Sequence, residues 1–247
     1  IVFVIFAFAT SLSQGEERGV HYQHRADLSP GAIGSWQLLR GGPLPGYPQP
    51  VEIRAPEKSR ISMAVPGGFS DPQPTPFKVG MLIAPVYRLR VTGIPYHEGE
   101  EVYPTIEVID RLYPPAGQAW RFPIPIELTL EDLELALDGR FVIRVIYLED
   151  PDFALPGPDD PLHQRWIDAG PGRDPLRLAD EAGRPMAILR MGGRVPLDAA
   201  GLSDEQFLYG SPPFLCAPQS VPYEGAIEYL PSENVSPVPE LLPADGL

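Results

Sequence analysis

The sequence contains a single cysteine, Cys216, among its 247 residues. One cysteine cannot form an intrachain disulfide and cannot supply a thiolate metal cluster. A small disulfide-stapled scaffold is therefore excluded, and a chain of this length can bury a hydrophobic core of its own. Because Cys216 stands in the apolar, proline-rich stretch Pro-Pro-Phe-Leu-Cys-Ala-Pro, we expect it to be a buried small apolar residue.

Basic residues are also scarce. The 19 lysines and arginines face 33 acids, which leaves a net charge of −14, and only Lys58 and Lys78 are lysines. An acidic surface repels phosphate backbones and anionic lipid headgroups. We therefore expect no nucleic-acid partner.

No apolar run reaches the roughly 20 residues that a membrane-spanning helix requires. Residues 1–9 are wholly apolar and are typical of the hydrophobic region of a secretory signal peptide or membrane anchor. Because an initiator methionine and a basic n-region are absent, we expect the sequence to begin inside a longer precursor. The high content of Phe, Val and Ile in this segment also favours a strand packed into a neighbouring subunit. We therefore expect residues 1–9 to contact a membrane, or Phe3, Phe6 and Phe8 to contact a neighbouring subunit.

Motifs for catalysis are lacking. There is no G-x-S-x-G elbow and no glycine-rich phosphate loop after a strand, so neither a hydrolase triad nor a nucleotide cofactor is expected. His21 and His24 are three residues apart but lie in a stretch without a helix signal, which favours a surface role over a metal site. We predict no catalytic residues and no cofactor.

Calcium is the cation that the acidic loop after residue 148 would suit best, because Ca²⁺ takes several oxygen ligands. The weak candidates are Glu149, Asp150 and Asp152, with Asp159 and Asp160 nearby. The spacing of an EF-hand loop is absent. A solvated loop remains the simpler interpretation.

Proline is abundant, with 33 residues, alongside 24 glycines. Because proline breaks helical hydrogen bonding, a helix bundle, a coiled coil and a multi-span membrane protein are excluded. A hydrophobic fraction of 43% argues against disorder. We divide the chain into an apolar segment (1–15), a Gly/Pro-rich N-terminal arm with short strands (16–78), a β-sandwich core (79–194) and an acidic Pro-rich extension (195–247).

Alternating apolar residues predict the strands of the core. In 86–91 the apolar positions alternate with Arg88 and Arg90, and in 102–109 Glu107 is predicted to face outward. The strand 122–128 has two prolines on the phase opposite to its apolar residues, so it should lie at a sheet edge. The strand 141–148 is apolar on both phases, which predicts a central position.

One short helix is predicted at 129–137, where Thr129 caps the N-terminus and Gly139 ends the helix in the left-handed conformation. A strand, a short helix and a further strand bearing Tyr147 are typical of the crossing between the two sheets of an immunoglobulin-like sandwich. The fold prediction is therefore mainly β: an immunoglobulin-like β-sandwich with long Pro/Gly-rich N- and C-terminal extensions.

The C-terminal extension carries eight acids and no base. Such a segment cannot form a core alone, yet aromatic residues recur through it, which purely solvating tails lack. We expect these aromatic residues to contact a partner protein; they are Phe207, Tyr209, Phe214, Tyr223 and Tyr229.

Four stretches carry a resemblance to a known group of proteins: Val-Tyr-Pro-Thr-Ile-Glu-Val-Ile-Asp-Arg-Leu-Tyr-Pro-Pro at 102–115, Arg-Phe-Pro-Ile-Pro-Ile-Glu-Leu-Thr at 121–129, Phe-Val-Ile-Arg-Val-Ile-Tyr-Leu-Glu-Asp-Pro at 141–151, and Ala-Ile-Leu-Arg-Met-Gly-Gly-Arg at 187–194. Together they resemble an uncharacterised family of exported proteins of planctomycete bacteria, over roughly residues 19–213. The resemblance implies an envelope location and carries over no catalytic residue.

These observations favour a non-enzymatic structural or interaction subunit of a bacterial cell-envelope or surface assembly, which contacts other protein subunits through its extended arms. The expected location is the periplasm, the outer membrane or the cell surface. The alternative is an envelope carbohydrate-binding module that uses Trp120 or Trp166, and Trp36 is the third tryptophan. A calcium-dependent enzyme is a third and weaker hypothesis.

Overall fold

The computed structural model describes residues 25–152, 164–196 and 201–218. Its helices are α1 (Ala32–Leu39), α2 (Leu130–Leu137) and α3 (Pro175–Ala182), with 3-10 turns at Ala119–Arg121 and Gly201–Ser203. Its strands are β1 (Pro48–Arg54), β2 (Arg60–Val65), β3 (Gly68–Phe69), β4 (Gln73–Pro74), β5 (Phe77–Leu82), β6 (Val86–Thr92), β7 (Thr105–Val108), β8 (Ile124–Glu127), β9 (Val142–Glu149), β10 (Gly183–Met191) and β11 (Phe214–Cys216).

The strands form two sheets. A four-stranded sheet has the order β11-β5-β1-β8, and a seven-stranded sheet has the order β3-β2-β6-β7-β10-β9, with β4 pairing to β2. Alternate residues of both sheets point into one shared core. Representative members, all less than 1% exposed, are Ile53 and Met81 of the smaller sheet and Met63, Leu89 and Ile106 of the larger one. The mainly β, sandwich-like prediction is confirmed at this level.

A third layer covers the outer face of the larger sheet. Ile33 of α1 and Leu176 of α3 pack with Ile188 of β10 into a second buried cluster, and Ile143 and Val145 of β9 pack against it. The larger sheet is therefore buried on both faces over β7 and most of β10, while β9 is half-buried.

Helix α2 confirms the predicted cap. The Thr129 hydroxyl accepts a hydrogen bond from the backbone N–H of Asp132 at 3.1 Å, and Gly139 has a φ of +79°. The prediction of a single helix is wrong, because the described residues contain three. The start of helix α3 could have been predicted from its sequence. Asp174 accepts a hydrogen bond from Leu176 N–H and Pro175 occupies the first turn, which is typical of a helix start.

The predicted position in the sheet is right for β8, which was expected at an edge, and wrong for β9, which was expected to be central. Strand β8, with Pro125, lies at the edge of the four-stranded sheet, as its prolines require. Strand β9 is not central but lies at the edge of the seven-stranded sheet. It is apolar on both phases because Val142 and Ile146 pack on the main core while its other face lies under α3.

The buried core extends beyond the predicted limits of 79–194. Strands β1 and β2 of the predicted N-terminal arm contribute fully buried residues, and Leu208 of the C-terminal extension is also fully buried. The Tyr87 hydroxyl accepts a hydrogen bond from Leu82 N–H and donates one to Pro213 O at 2.9 Å. Burial raises the pKa of Tyr87 to about 12, so this link to the C-terminal segment stays protonated at neutral pH.

The position of Glu107 differs most clearly from the sequence prediction. It was expected to face solvent, but its side chain is fully buried under α1. Its carboxylate accepts hydrogen bonds from Gly34 N–H at 2.9 Å and from Arg190 Nη1 at 2.8 Å. Arg190 Nε in turn donates to Ala26 O at 3.3 Å. An ion pair between central strands thus holds the segment that contains α1.

Breaking this pair should be costly. We expect Glu107→Met to lower the free energy of unfolding by about 3–5 kcal/mol, because it leaves the buried Arg190 guanidinium without its counter-charge. Urea denaturation of the variant measures this loss. The double variant Glu107→Met/Arg190→Met should recover most of the lost stability, since no buried charge then remains unpaired. A single-variant loss below about 1 kcal/mol would contradict this role for the pair.

Candidate interaction groove along an edge strand

An open groove of about 730 Å³ runs beside β9. The N-terminal end of α2, helix α3 and the segment 164–170 form its other walls. Ligand sites usually have volumes of roughly 300–1,000 Å³. The groove therefore has the dimensions of a binding site, and a sheet edge forms its floor.

Among the described residues, no strand pairs with the outer edge of β9. Within residues 25–152, 164–196 and 201–218, β9 pairs only with β10, from Val142 opposite Met191 to Glu149 opposite Gly183. In an antiparallel pair every second residue directs its N–H and C=O away from the partner strand. In the part of the chain that the structure describes, no further strand pairs with these groups along the eight residues of β9.

A partly buried ion pair shapes one wall of the groove. Arg144 of β9 donates to both carboxylate oxygens of Asp132, with Nη2–Oδ1 at 2.7 Å and Nε–Oδ2 at 3.2 Å. The Asp132 side chain is only 1% exposed. The Arg144 guanidinium also lies 5.3 Å from the centroid of the Trp166 ring. The pair thus fixes α2 against β9 and positions Trp166 beside the edge.

Gln164 holds the start of segment 164–170 against the other sheet. Its Nε2 donates to Pro125 O at 2.8 Å, its Oε1 accepts from Glu127 N–H at 3.2 Å, and its backbone N–H donates to Glu127 Oε2 at 2.8 Å. The edge of β8 is therefore covered, whereas the edge of β9 faces the groove.

Large apolar side chains are exposed along and near the groove. Phe141, Trp166 and Ile167 line it and are 67%, 62% and 41% exposed, and Leu148 of β9 is 47% exposed. Exposed apolar surface gathered at one place marks an interaction site more often than scattered single residues do.

The lining of the groove is negatively charged overall. Burial, together with the nearby Glu149 carboxylate, raises the pKa of Tyr147, which keeps its hydroxyl protonated. Among the described residues that line it, five carboxylates face three guanidinium groups, a formal balance of −2; they are Glu127, Glu131, Asp132, Glu149 and Asp168 against Arg144, Arg165 and Arg173.

The calcium candidates do not converge on a cation site. Glu149 ends β9 and lines the groove, while Asp150 Oδ1 accepts a hydrogen bond from Asp152 N–H at 3.0 Å. In the described ranges no three His, Cys, Asp or Glu side chains are grouped so as to hold a metal ion. Asp159, Asp160, His21, His24 and His163 lie outside those ranges.

The predicted partner contacts divide into two groups. Phe207 and Tyr209 pack on their own chain, with the Arg88 guanidinium 4.6 Å and 5.0 Å from their ring centroids, and Phe214 belongs to β11. The others lie outside the described residues; they are Phe3, Phe6, Phe8, Tyr223 and Tyr229.

Cys216 is exposed rather than buried. It ends β11, which lies at the edge of the four-stranded sheet. The apolar context of the residue in the sequence did not reveal this edge position.

The three tryptophans lie on different elements. Trp36 belongs to α1, Trp120 to the 3-10 turn, and Trp166 to the segment that borders the groove. Trp120 covers Gly80 of β5, where a Cβ atom would lie 3.3 Å from the indole ring. Trp166 is thus the tryptophan that lines the groove.

No family model matches the chain, and neither the curated proteins nor the solved structures include a significant match. None of the helices in the described ranges has the length and apolar character needed to cross a membrane.

The Asp132–Arg144 pair gives a testable consequence. We expect Arg144→Ala to lower the free energy of unfolding by roughly 1–3 kcal/mol, because the buried Asp132 carboxylate loses its strongest partner. Chemical denaturation measures this loss, and a changed Trp166 emission should accompany it. Arg177→Ala is the control, since its pair with Glu181 is exposed and should contribute less than about 1 kcal/mol. Equal effects of the two variants would contradict this role.

Proposed function

We propose that the protein is a non-enzymatic interaction subunit of a bacterial cell-envelope or surface assembly, and that it binds neighbouring proteins. The observation that carries this proposal is the groove with the unpaired edge of β9 as its floor. Unpaired edges of this kind are templates for pairing with another chain.

The polar groups of the groove support binding rather than catalysis. Asp132 is engaged by Arg144, Asp168 accepts a hydrogen bond from Gly170 N–H, and Gln164 is engaged by β8. Each of them serves the local structure. An active site would instead direct several such groups at one reacting atom.

The envelope location rests on the sequence. The apolar residues 1–9 and the resemblance to exported planctomycete proteins both favour export. The contribution of the terminal arms to subunit contacts also remains part of the proposal.

The finer fold proposal is an immunoglobulin-like sandwich with long Pro/Gly-rich extensions. It is supported by the path of the chain from β8 in one sheet, through α2, to β9 in the other. A crossing of this kind joins the two sheets of such folds.

Cross-linking in intact envelopes tests the function. The chain offers only two lysines but 33 acids, so a carbodiimide, which couples its carboxylates to amines of a partner, is the suitable reagent. We expect adducts that contain the 27.1 kDa chain and other envelope proteins. A chain that stays monomeric in envelopes, and as purified protein over a range of concentrations, would contradict the proposal.

A carbohydrate-binding module is the second candidate, and the exposure of Trp166 is the observation that favours it. An exposed indole provides an apolar face with a polar edge. Under this alternative, a glycan array should show binding that Trp166→Ala abolishes. Tyr113→Ala is the matched control, because Tyr113 is exposed to 63% and does not line the groove. Absence of any glycan signal would remove this candidate.

A further inference from the structure

We infer that the β9 groove binds an extended peptide segment of a partner protein, rich in apolar and basic residues, which adds to the sheet as a strand beside β9. This inference deepens the proposed function and depends on it. It names the chemistry of the partner segment and the way in which that segment is held.

The first argument is the contrast between β9 and the other sheet edges in the described ranges. Strands β3 and β11 have two and three residues, and β8 has four, with a proline and the cover of Gln164. These are the usual means by which proteins protect an edge from unwanted pairing. Strand β9 has eight residues and no proline or lysine. Its length and apolar sequence suit an edge that is used for pairing.

The second argument is the shape of the site. A strand added to β9 would direct alternate side chains to the two sides of the sheet. Trp166 lies beside Arg144 of one face, and α3, which contributes Leu178 to the groove, packs near Ile143 and Val145 of the other face. In this mode of recognition the main chain supplies affinity and the flanking side chains supply selectivity.

The third argument is charge. The described residues that line the groove have a formal balance of −2, on a chain whose total charge is −14. A partner segment with lysine or arginine is attracted by this field, whereas an acidic segment is repelled. The occupant is therefore expected to be basic as well as apolar.

Peptide binding to the purified full chain tests the inference. The probe is a fluorescently labelled ten-residue peptide of alternating lysine and valine, measured by anisotropy at low salt. Two peptides serve as comparisons: one with glutamate in place of lysine, and one N-methylated at four successive residues. We expect the glutamate peptide to bind at least about tenfold more weakly, because its charges are repelled. The N-methylated peptide should bind much more weakly, since its methylated segment cannot donate hydrogen bonds to the edge.

Variants of the chain locate the site. Trp166→Ala should weaken binding of the lysine–valine peptide by about tenfold or more, as loss of a large aromatic contact does at an interface. Tyr113→Ala, an equally exposed aromatic elsewhere, should leave binding unchanged. Equal binding of the N-methylated peptide would overturn strand addition, equal binding of the glutamate peptide would overturn the charge argument, and displacement by envelope glycans would overturn the class of partner.

The experiments distinguish failure of the inference about the groove from failure of the proposed function. If no peptide binds while the envelope cross-links persist, the inference about the groove is overturned and the proposed function stands. If the cross-links are also absent, the proposed function itself is overturned.

Discussion

The buried pair of Glu107 and Arg190 is the interaction on which the arrangement of layers depends. The two residues lie on the central strands β7 and β10 of the larger sheet, and their remaining hydrogen bonds reach Gly34 N–H and Ala26 O. Because both charges are almost fully buried, they need these partners to offset the cost of desolvation. The segment that contains α1 is thereby fixed over one part of the sheet, next to α3, which covers β9.

The edge of the smaller sheet at β8 is covered, whereas the edge of the larger sheet at β9 faces the groove. This difference creates the candidate site. Pro125 and the cover of Gln164 protect the edge of β8. At the other sheet, the Asp132–Arg144 pair fixes α2 against one face of β9 while α3 packs on the other face. Both faces of β9 are thus partly covered, and among the described residues no strand pairs with its outer edge. Under the proposed strand addition, a groove of this form holds its ligand as an extended backbone.

Local patterns in the sequence predict local structure well here. The cap at Thr129, the left-handed Gly139 and the edge position of β8 follow from the chemistry of threonine, glycine and proline alone. The alternation in β6 correctly places Tyr87, Leu89 and Val91 on one face of the strand, where all three are buried. These features depend on residues within a few positions of one another.

Features that depend on distant segments could not be predicted in this way. Glu107 resembles a solvent-facing residue in the alternation of its strand, because its partners Gly34 and Arg190 are 73 and 83 residues away. Strand β9 resembles a central strand because one of its faces packs on the main core and the other packs near α3, although it lies at the edge of its sheet. The groove combines α2, β9, α3 and the segment 164–170, so only the assembled fold reveals it.

Amide hydrogen exchange of the isolated monomeric chain tests the central claim, the unpaired edge of β9, most directly. We predict that alternate amides of β9, those directed away from β10, exchange rapidly, while amides of β7 and β10 exchange only through larger opening. Slow exchange at every amide of β9, equal to that of β10, would show that the edge is already occupied and would contradict the account.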